Sequence, residues 1–134
     1  MMRIGISEMD TLALVREWHA RFGVPIVDRP ELPEGRVGMR LALLEEEVAE
    51  LREAAEKRDM VAVLDALTDI QYVLDGTFLE FGLHPLKAKA FEEVHASNMS
   101  KLGADGKAVL RDDGKVLKGP HYFRPDLKRV LDGL

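Results

Sequence analysis

The most regular pattern of apolar and polar positions runs from Leu41 to Leu51, where Leu41, Leu44, Val48 and Leu51 recur at three- and four-residue spacing. That period marks one apolar helix face and predicts a helix from about Glu34 or Val37 to Arg58. Upstream, Leu12, Val15, His19 and Phe22 make a second stripe, with Trp18 beside it and Gly23 at its end. Ser7 followed by Asp10 resembles a capping box at the start of that helix. Residues 24–36 hold three prolines and a glycine, which predicts an ordered, non-helical crossing. Asp59 is placed to cap a third helix, Met60 to Phe81, closed by Gly82. Val61, Leu64, Leu67, Ile70, Val73 and Leu74 are its expected core positions. His84-Pro85 opens a fourth helix that continues to about Leu102, since proline fits a first turn.

After Leu102 the texture changes. Ala108–Arg111 and Lys115–Lys118 flank Asp112-Asp113-Gly114 in a hairpin-like pattern, and Pro125 starts a last short helix, Asp126–Leu131. The expectation is an all-α chain in one domain, 1–134. A four-helix body of about residues 7–102 would be followed by a basic loop and short β-hairpin of about 103–134. With 134 residues the chain can bury a core yet still gain from association. Leu12, Trp18, Leu43, Phe78, Leu79 and Phe81 exceed what one stripe per helix requires, which predicts a homodimer or a tetramer.

Composition removes several alternatives. The absence of cysteine excludes disulfides and thiolate zinc sites. A net charge of −5 argues against non-specific nucleic-acid binding. No apolar run approaches the ~20 residues that span a bilayer, so a soluble, cytoplasmic protein is expected.

The charges that matter are local. Glu45, Glu46, Glu47 and Glu50 crowd two turns of the second helix. At ~100° per residue, Glu47 and Glu50 lie about 60° apart, on the shoulder of the apolar stripe. Like charges this close destabilise a helix unless something positive sits between them. On the third helix Asp65, Asp69, Tyr72 and Gly76 share a face, and aspartate is a poor helix-interior residue. Facing Glu47 and Glu50, these aspartates would complete an all-oxygen cage suited to Mg²⁺ or Mn²⁺ rather than zinc. A solvated acidic face, with Asp69 merely paired to an arginine, is the alternative that spacing leaves open. Asn98 and Lys101, followed by Lys107, Lys115, Lys118 and Arg124, add what a polyphosphate needs beside metal ions: charges that neutralise its remaining oxygens.

Glu46, Glu47 and Glu50, the segment DALTDIQYVLDGTFLEFG, then FEEVHASNMSKLGADGK and DGKVLKGPHYFRPDL together resemble the all-α nucleotide pyrophosphohydrolases. That superfamily holds MazG, phosphoribosyl-ATP pyrophosphohydrolase and the dimeric dUTPases, and the likeness is to its short MazG-like phage and bacterial members. It covers roughly residues 10–130, and EVHxSNxSK followed by GKxxK is its specific part. The resemblance implies a Mg²⁺- or Mn²⁺-dependent hydrolase that splits a nucleoside triphosphate, a dNTP or NTP such as dUTP, to monophosphate and pyrophosphate, clearing nucleotide pools. It implies metal ligands at Glu47, Glu50 and Asp69, and a metal-holding or water-activating role for Glu46. Asn98 and Lys101 match nucleotide-contacting positions, Lys115 and Lys118 a phosphate-contacting tail, and Tyr72 an aromatic position near base or sugar.

The chain departs from the family's ExxD motif at Ala66, three residues before Asp69. Either Asp65 reaches a metal, directly or through water, or the site holds fewer ions. With neither a cysteine nor a glycine-flanked serine elbow, attack by metal-activated water is the simpler mechanism. Two other readings stand beside it: phosphoribosyl-ATP as substrate, and a non-catalytic helical dimerisation or nucleotide-sensing module whose site has decayed at Ala66.

Overall fold

The computed structural model describes residues 9–133, so the Ser7 half of the expected capping box lies outside the described residues. The chain divides into two compact units, one ending at His84 and one beginning at Pro85. The first holds three helices: α1 (Thr11–Phe22), α2 (Val37–Glu56) and α3 (Met60–Glu80). A single 3₁₀ turn, His84–Leu86, follows, and the second unit carries α4 (Lys87–Met99), β1 (Val109–Leu110), β2 (Val116–Leu117) and α5 (Leu127–Asp132). Four longer helices and a two-stranded hairpin confirm the all-α expectation. The compact division falls at the 84/85 junction. The reason is side-chain chemistry at the end of α4: Ser97 Oγ donates to Phe123 O (2.8 Å), Phe123 N donates to Ser100 Oγ (3.1 Å), and Glu93 takes Asp126 N (3.0 Å) and Arg129 Nη2 (2.8 Å). These bonds make α4 the partner of the tail.

Helix ends follow local chemistry. Asp10 itself caps α1 by accepting from Ala13 N, and Asp59 caps α3 by accepting from Ala62 N. Gly23 closes α1 in the left-handed region, φ 67°. Gly82 has φ 67°, and a Cβ there would overlap the Arg29 carbonyl, so only glycine permits the close pass of the 24–36 crossing. The crossing is tied to the end of α3 by Val27 N to Leu79 O (2.9 Å) and Glu31 N to Phe81 O (3.0 Å). In the second unit, Val109 pairs with Leu117 and Leu110 with Val116, antiparallel, around the expected Asp112-Asp113-Gly114 turn.

α1 and α2 both pack on α3, and α2 and α3 form an antiparallel hairpin whose loop holds Arg58 at φ 53°. Which faces turn inward differs from the periodicity reading. On α2 the buried positions are Arg40 and Ala54, while Leu41 and Val48 of the apolar stripe stay about half exposed. On α3 the buried positions are Ala66, Asp75, Gly76, Leu79 and Glu80, and the expected core residues Val61, Leu64, Leu67 and Leu74 are exposed. A helix hydrophobic over more than one face has room for several partners; α3 meets α1 and α2 and still leaves an apolar arc exposed. No helix among the described residues is long and apolar enough to cross a membrane.

Candidate active site

The α2–α3 hairpin brings together the two acidic helices. Glu47, Glu50 and Asp69 each offer a carboxylate oxygen, and the three oxygens lie within 4.8 Å of one another. Glu47 and Asp69 are half-buried, Glu50 exposed. Glu47 Oε2 is buried without any hydrogen-bond partner. Burial pushes the Glu47 carboxyl above the usual range, and the negative charges of Glu50 and Asp69, a hydrogen bond shared with Glu50, and the charge of Glu46 push it further the same way. An orphaned buried oxygen inside an all-carboxylate set fits a hard divalent cation, which takes oxygen ligands. The three helical residues that carry the set are those the family motif pointed to.

The other predicted residues are distributed more widely. Glu46 is exposed and acts on the site through its charge on Glu47. Asp65 is exposed and is not in the carboxylate group; it lines a neighbouring cleft with Glu50, Glu53, Lys57 and Asp59. Ala66, where the motif has a carboxylate, is 3% exposed and packs inside the hairpin. Asn98, Lys101, Lys115 and Lys118 all belong to the second unit. Lys101 O accepts Gly119 N (2.9 Å), Lys115 N donates to Asp113 Oδ1 (3.1 Å), and Lys118 Nζ lies 4.7 Å from the Tyr122 ring centroid. The tail segment is knitted together by its own bonds.

Asp69 also borders a cleft of about 330 Å³, lined by Trp18, His19, Arg40, Leu43, Tyr72 and Val73. Tyr72, the one predicted aromatic, stands edge-on to Trp18 (6.2 Å, 85°), which stacks on Phe22 (4.9 Å, 23°). The sequence placed Trp18 beside a core stripe and counted it only as surplus apolar surface, not as part of a cleft. It likewise missed the polar floor of the cleft. His19, 2% exposed, has Nδ1 3.0 Å from Pro25 O; a carbonyl only accepts, so Nδ1 carries the proton. Burial pulls the His19 pKa below its usual value, against the Pro25 carbonyl, which raises it. The neutral ring thus presents Nε2 as an acceptor. Arg40 lies beside it, its Nη1 2.7 Å from Glu80 Oε2 and its Nη2 2.7 Å from Val73 O. Gly76 makes room for both: a Cβ would sit 2.5 Å from Arg40 Nη2 and 2.8 Å from His19 Nε2. The signal in the sequence was a charged residue, Glu80, inside the apolar run TFLEFG, with Arg36 and Arg40 one turn apart.

The raised Glu47 carboxyl predicts a pH dependence of the metal-free protein. The unfolded chain releases this proton at lower pH than the folded one. The stability that goes with it is fully present below the unfolded carboxyl pKa of about 4.3 and is lost as pH rises through the raised folded value. Glu47→Gln should therefore raise the Tm in EDTA by a few degrees at pH 7 and change it little at pH 3.5. An equal shift at both pH values would show that Glu47 carries no such penalty.

The phosphoribosyl-ATP pyrophosphohydrolase family model matches residues 15–98, a span that includes most of α1, all of α2 and α3, and nearly all of α4. A curated relative, the probable protein kinase UbiB of Vibrio atlanticus (strain LGP32), is 30% identical over 112 residues, 84% of this chain. The match spans only 17% of that protein's length. Among solved structures, a protein of Exiguobacterium sp. 255-15 proposed to be an NTP pyrophosphohydrolase is 28% identical and is matched over 93% of both chains, with a TM-score of 0.48. So loose a superposition adds nothing to the reading of the site, which rests on the family match and on the hairpin's own carboxylates. On that match, the chain belongs to the phosphoribosyl-ATP pyrophosphohydrolase family of nucleotide pyrophosphohydrolases.

Proposed function

We propose that the chain hydrolyses a nucleoside triphosphate between its α and β phosphates, releasing pyrophosphate and the monophosphate, with Mg²⁺ or Mn²⁺ bound by Glu47, Glu50 and Asp69. The observation that carries this reading is the shared residue Asp69. It belongs to the carboxylate group and also borders the aromatic cleft, so a metal-binding set and a place for a planar ring adjoin. A bound divalent ion would supply Lewis acidity toward phosphoryl oxygens. Trp18 and Tyr72 give the ring apolar surface and orient it. Exposed Glu46, beside the set, is assigned to take the proton of the attacking water, and Asp65 to support the ion from outside the set. Asn98, Lys101, Lys115 and Lys118 are assigned contacts to the nucleotide on the resemblance of their motif.

Phosphoribosyl-ATP is the second reading, favoured by the description of the matching family, although the match stops at residue 98, before the GKxxK tail. Pyrophosphate release from a nucleotide panel that includes phosphoribosyl-ATP, with and without Mg²⁺, separates the two. In the same assay Glu47→Gln, Glu50→Gln and Asp69→Asn should each lower kcat at least ~100-fold, as loss of ~2.7 kcal/mol of transition-state stabilisation does. Activity that survives all three changes rules out the carboxylate site, and absence of any hydrolysis returns the chain to the non-catalytic reading.

The tail lysines are expected to act on substrate rather than on the fold. Lys115→Ala should leave the ligand-free Tm unchanged. Lys118→Ala should lower it slightly, since the Tyr122 contact contributes ~0.5–1 kcal/mol at an exposed site. Both should reduce kcat/KM at least ~tenfold, about 1.4 kcal/mol. Wild-type efficiency in both variants would make them ordinary surface charges.

The same reading includes a homodimer. Met60 and Val61 of α3 are 76% and 80% exposed, and the α2 stripe is half open as well. Solvent-exposed aliphatic arcs on paired helices are what a second copy covers in a symmetric dimer. Light scattering at micromolar concentration should give twice the chain mass; a monodisperse monomer excludes it.

A further inference from the structure

The buried charges on α2 and α3 have no part in the proposed chemistry. The Glu80 carboxylate, without solvent exposure, accepts Arg36 Nε at 2.6 Å on Oε1 and Arg40 Nη1 at 2.7 Å on Oε2. Arg40 also donates through Nε to Thr77 Oγ1 (3.2 Å) and through Nη2 to Val73 O (2.7 Å). One guanidinium is thus bound at three positions along one face of α3. We propose that the Arg36–Glu80–Arg40 ion triad is a positioning device: it fixes the register of α2 against α3 and so holds Glu47 beside Asp69. This rests on the reading of Glu47, Glu50 and Asp69 as metal ligands.

The sequence intervals support it. Arg36 and Glu47 stand eleven residues apart at the start of and along α2, and Glu80 and Asp69 stand eleven apart on α3. Eleven residues of helix are about three turns and ~16.5 Å, so in an antiparallel pair a contact at one end dictates the contact at the other. A slip by one residue would shift one helix by ~1.5 Å and turn it by ~100°, removing a carboxylate from the set. The fully buried apolar side chains of α2 and α3 are Ala54, Ala66 and Leu79, and because apolar burial is non-directional it sets register less sharply than a directional bond does. Repulsion among Glu47, Glu50 and Asp69 favours separation. Charge-assisted hydrogen bonds from two guanidinium groups, one to each Glu80 oxygen, are directional and tolerate no such shift. Buried ion pairs contribute little net stability, and fixing register is their best-attested use.

The test separates position from stability. In Arg40→Met/Glu80→Leu one charge of each sign is removed, so the net charge stays the same, and apolar replacement of a buried pair commonly preserves stability. Mn²⁺ alone is titrated into nucleotide-free protein and followed by electron paramagnetic resonance, alongside the Tm. The expected result is a Tm within a few degrees of wild type and Mn²⁺ affinity lower by at least ~tenfold; unchanged affinity overturns the register device. A double variant that does not fold is replaced by Arg36→Lys, which keeps the charge but loses the planar Nε–H donor that meets Glu80 Oε1. Severalfold weaker Mn²⁺ binding at unchanged Tm then supports the device, and wild-type binding overturns it. Asp69→Asn is the control. If it leaves Mn²⁺ affinity intact, the ligand assignment itself falls. If it abolishes binding while the lock variants bind normally, only the register inference falls.

Discussion

Three carboxylate oxygens held within 4.8 Å repel one another, and keeping them there is the constraint on which the first unit is built. Glu47 bears it most, being half-buried with one oxygen unpartnered. Helices α2 and α3 are joined at one end by a short loop, where Arg58 accepts the left-handed region and Asp59 caps α3, and at the other by the Arg36–Glu80–Arg40 pairs. The acidic set lies between these two fastenings. Such a hairpin cannot relax its charges by splaying without breaking either a cap or a buried ion pair, so a bound cation or protonation of Glu47 is left to relieve the repulsion.

The same economy of parts builds the cleft next to it. Arg40 serves the Glu80 pair and also floors the cleft, and Asp69 serves the carboxylate set and also borders it. Gly76 is the point where these demands meet, because any larger side chain would displace the Arg40 guanidinium and the His19 ring together. His19 in turn is fixed in tautomer by the Pro25 carbonyl of the 24–36 crossing, and the crossing can lie there because Gly82 lets it pass the end of α3. The absence of a side chain at two glycines thus reaches the cleft through a chain of direct contacts.

In the second unit, the segment that resembles the family motif most specifically turns out to divide its labour. Ser97 and Ser100 of SNMSK fasten Phe123, and Asn98 and Lys101 are the positions proposed for a nucleotide. Lys118 packs on Tyr122 rather than standing free. On the proposed reading, a tail held this way would present its cations at smaller entropic loss than a loose one.

Sequence alone determined the helices, their ends and the acidic pairs, because caps, left-handed glycines and helical spacing are local rules in which each residue answers to neighbours within one turn. Asp59, Gly23 and Gly82 all act as local chemistry requires, and Glu47, Glu50 and Asp69 come together as the motif implied. Tertiary structure decided the rest. Periodicity marks an apolar arc but not which part of it meets a partner, so Val61, Leu64 and Leu67 lie outside while Arg40, Asp75 and Glu80 are buried. Asp65 shares the helix face of Asp69, yet a one-turn offset along the axis gives it to the adjoining cleft, since helical wheels ignore height. Charged residues that are buried can be justified only by partners far away in the chain. Arg36 and Glu80 are forty-four positions apart, and no local rule connects them until the hairpin has folded.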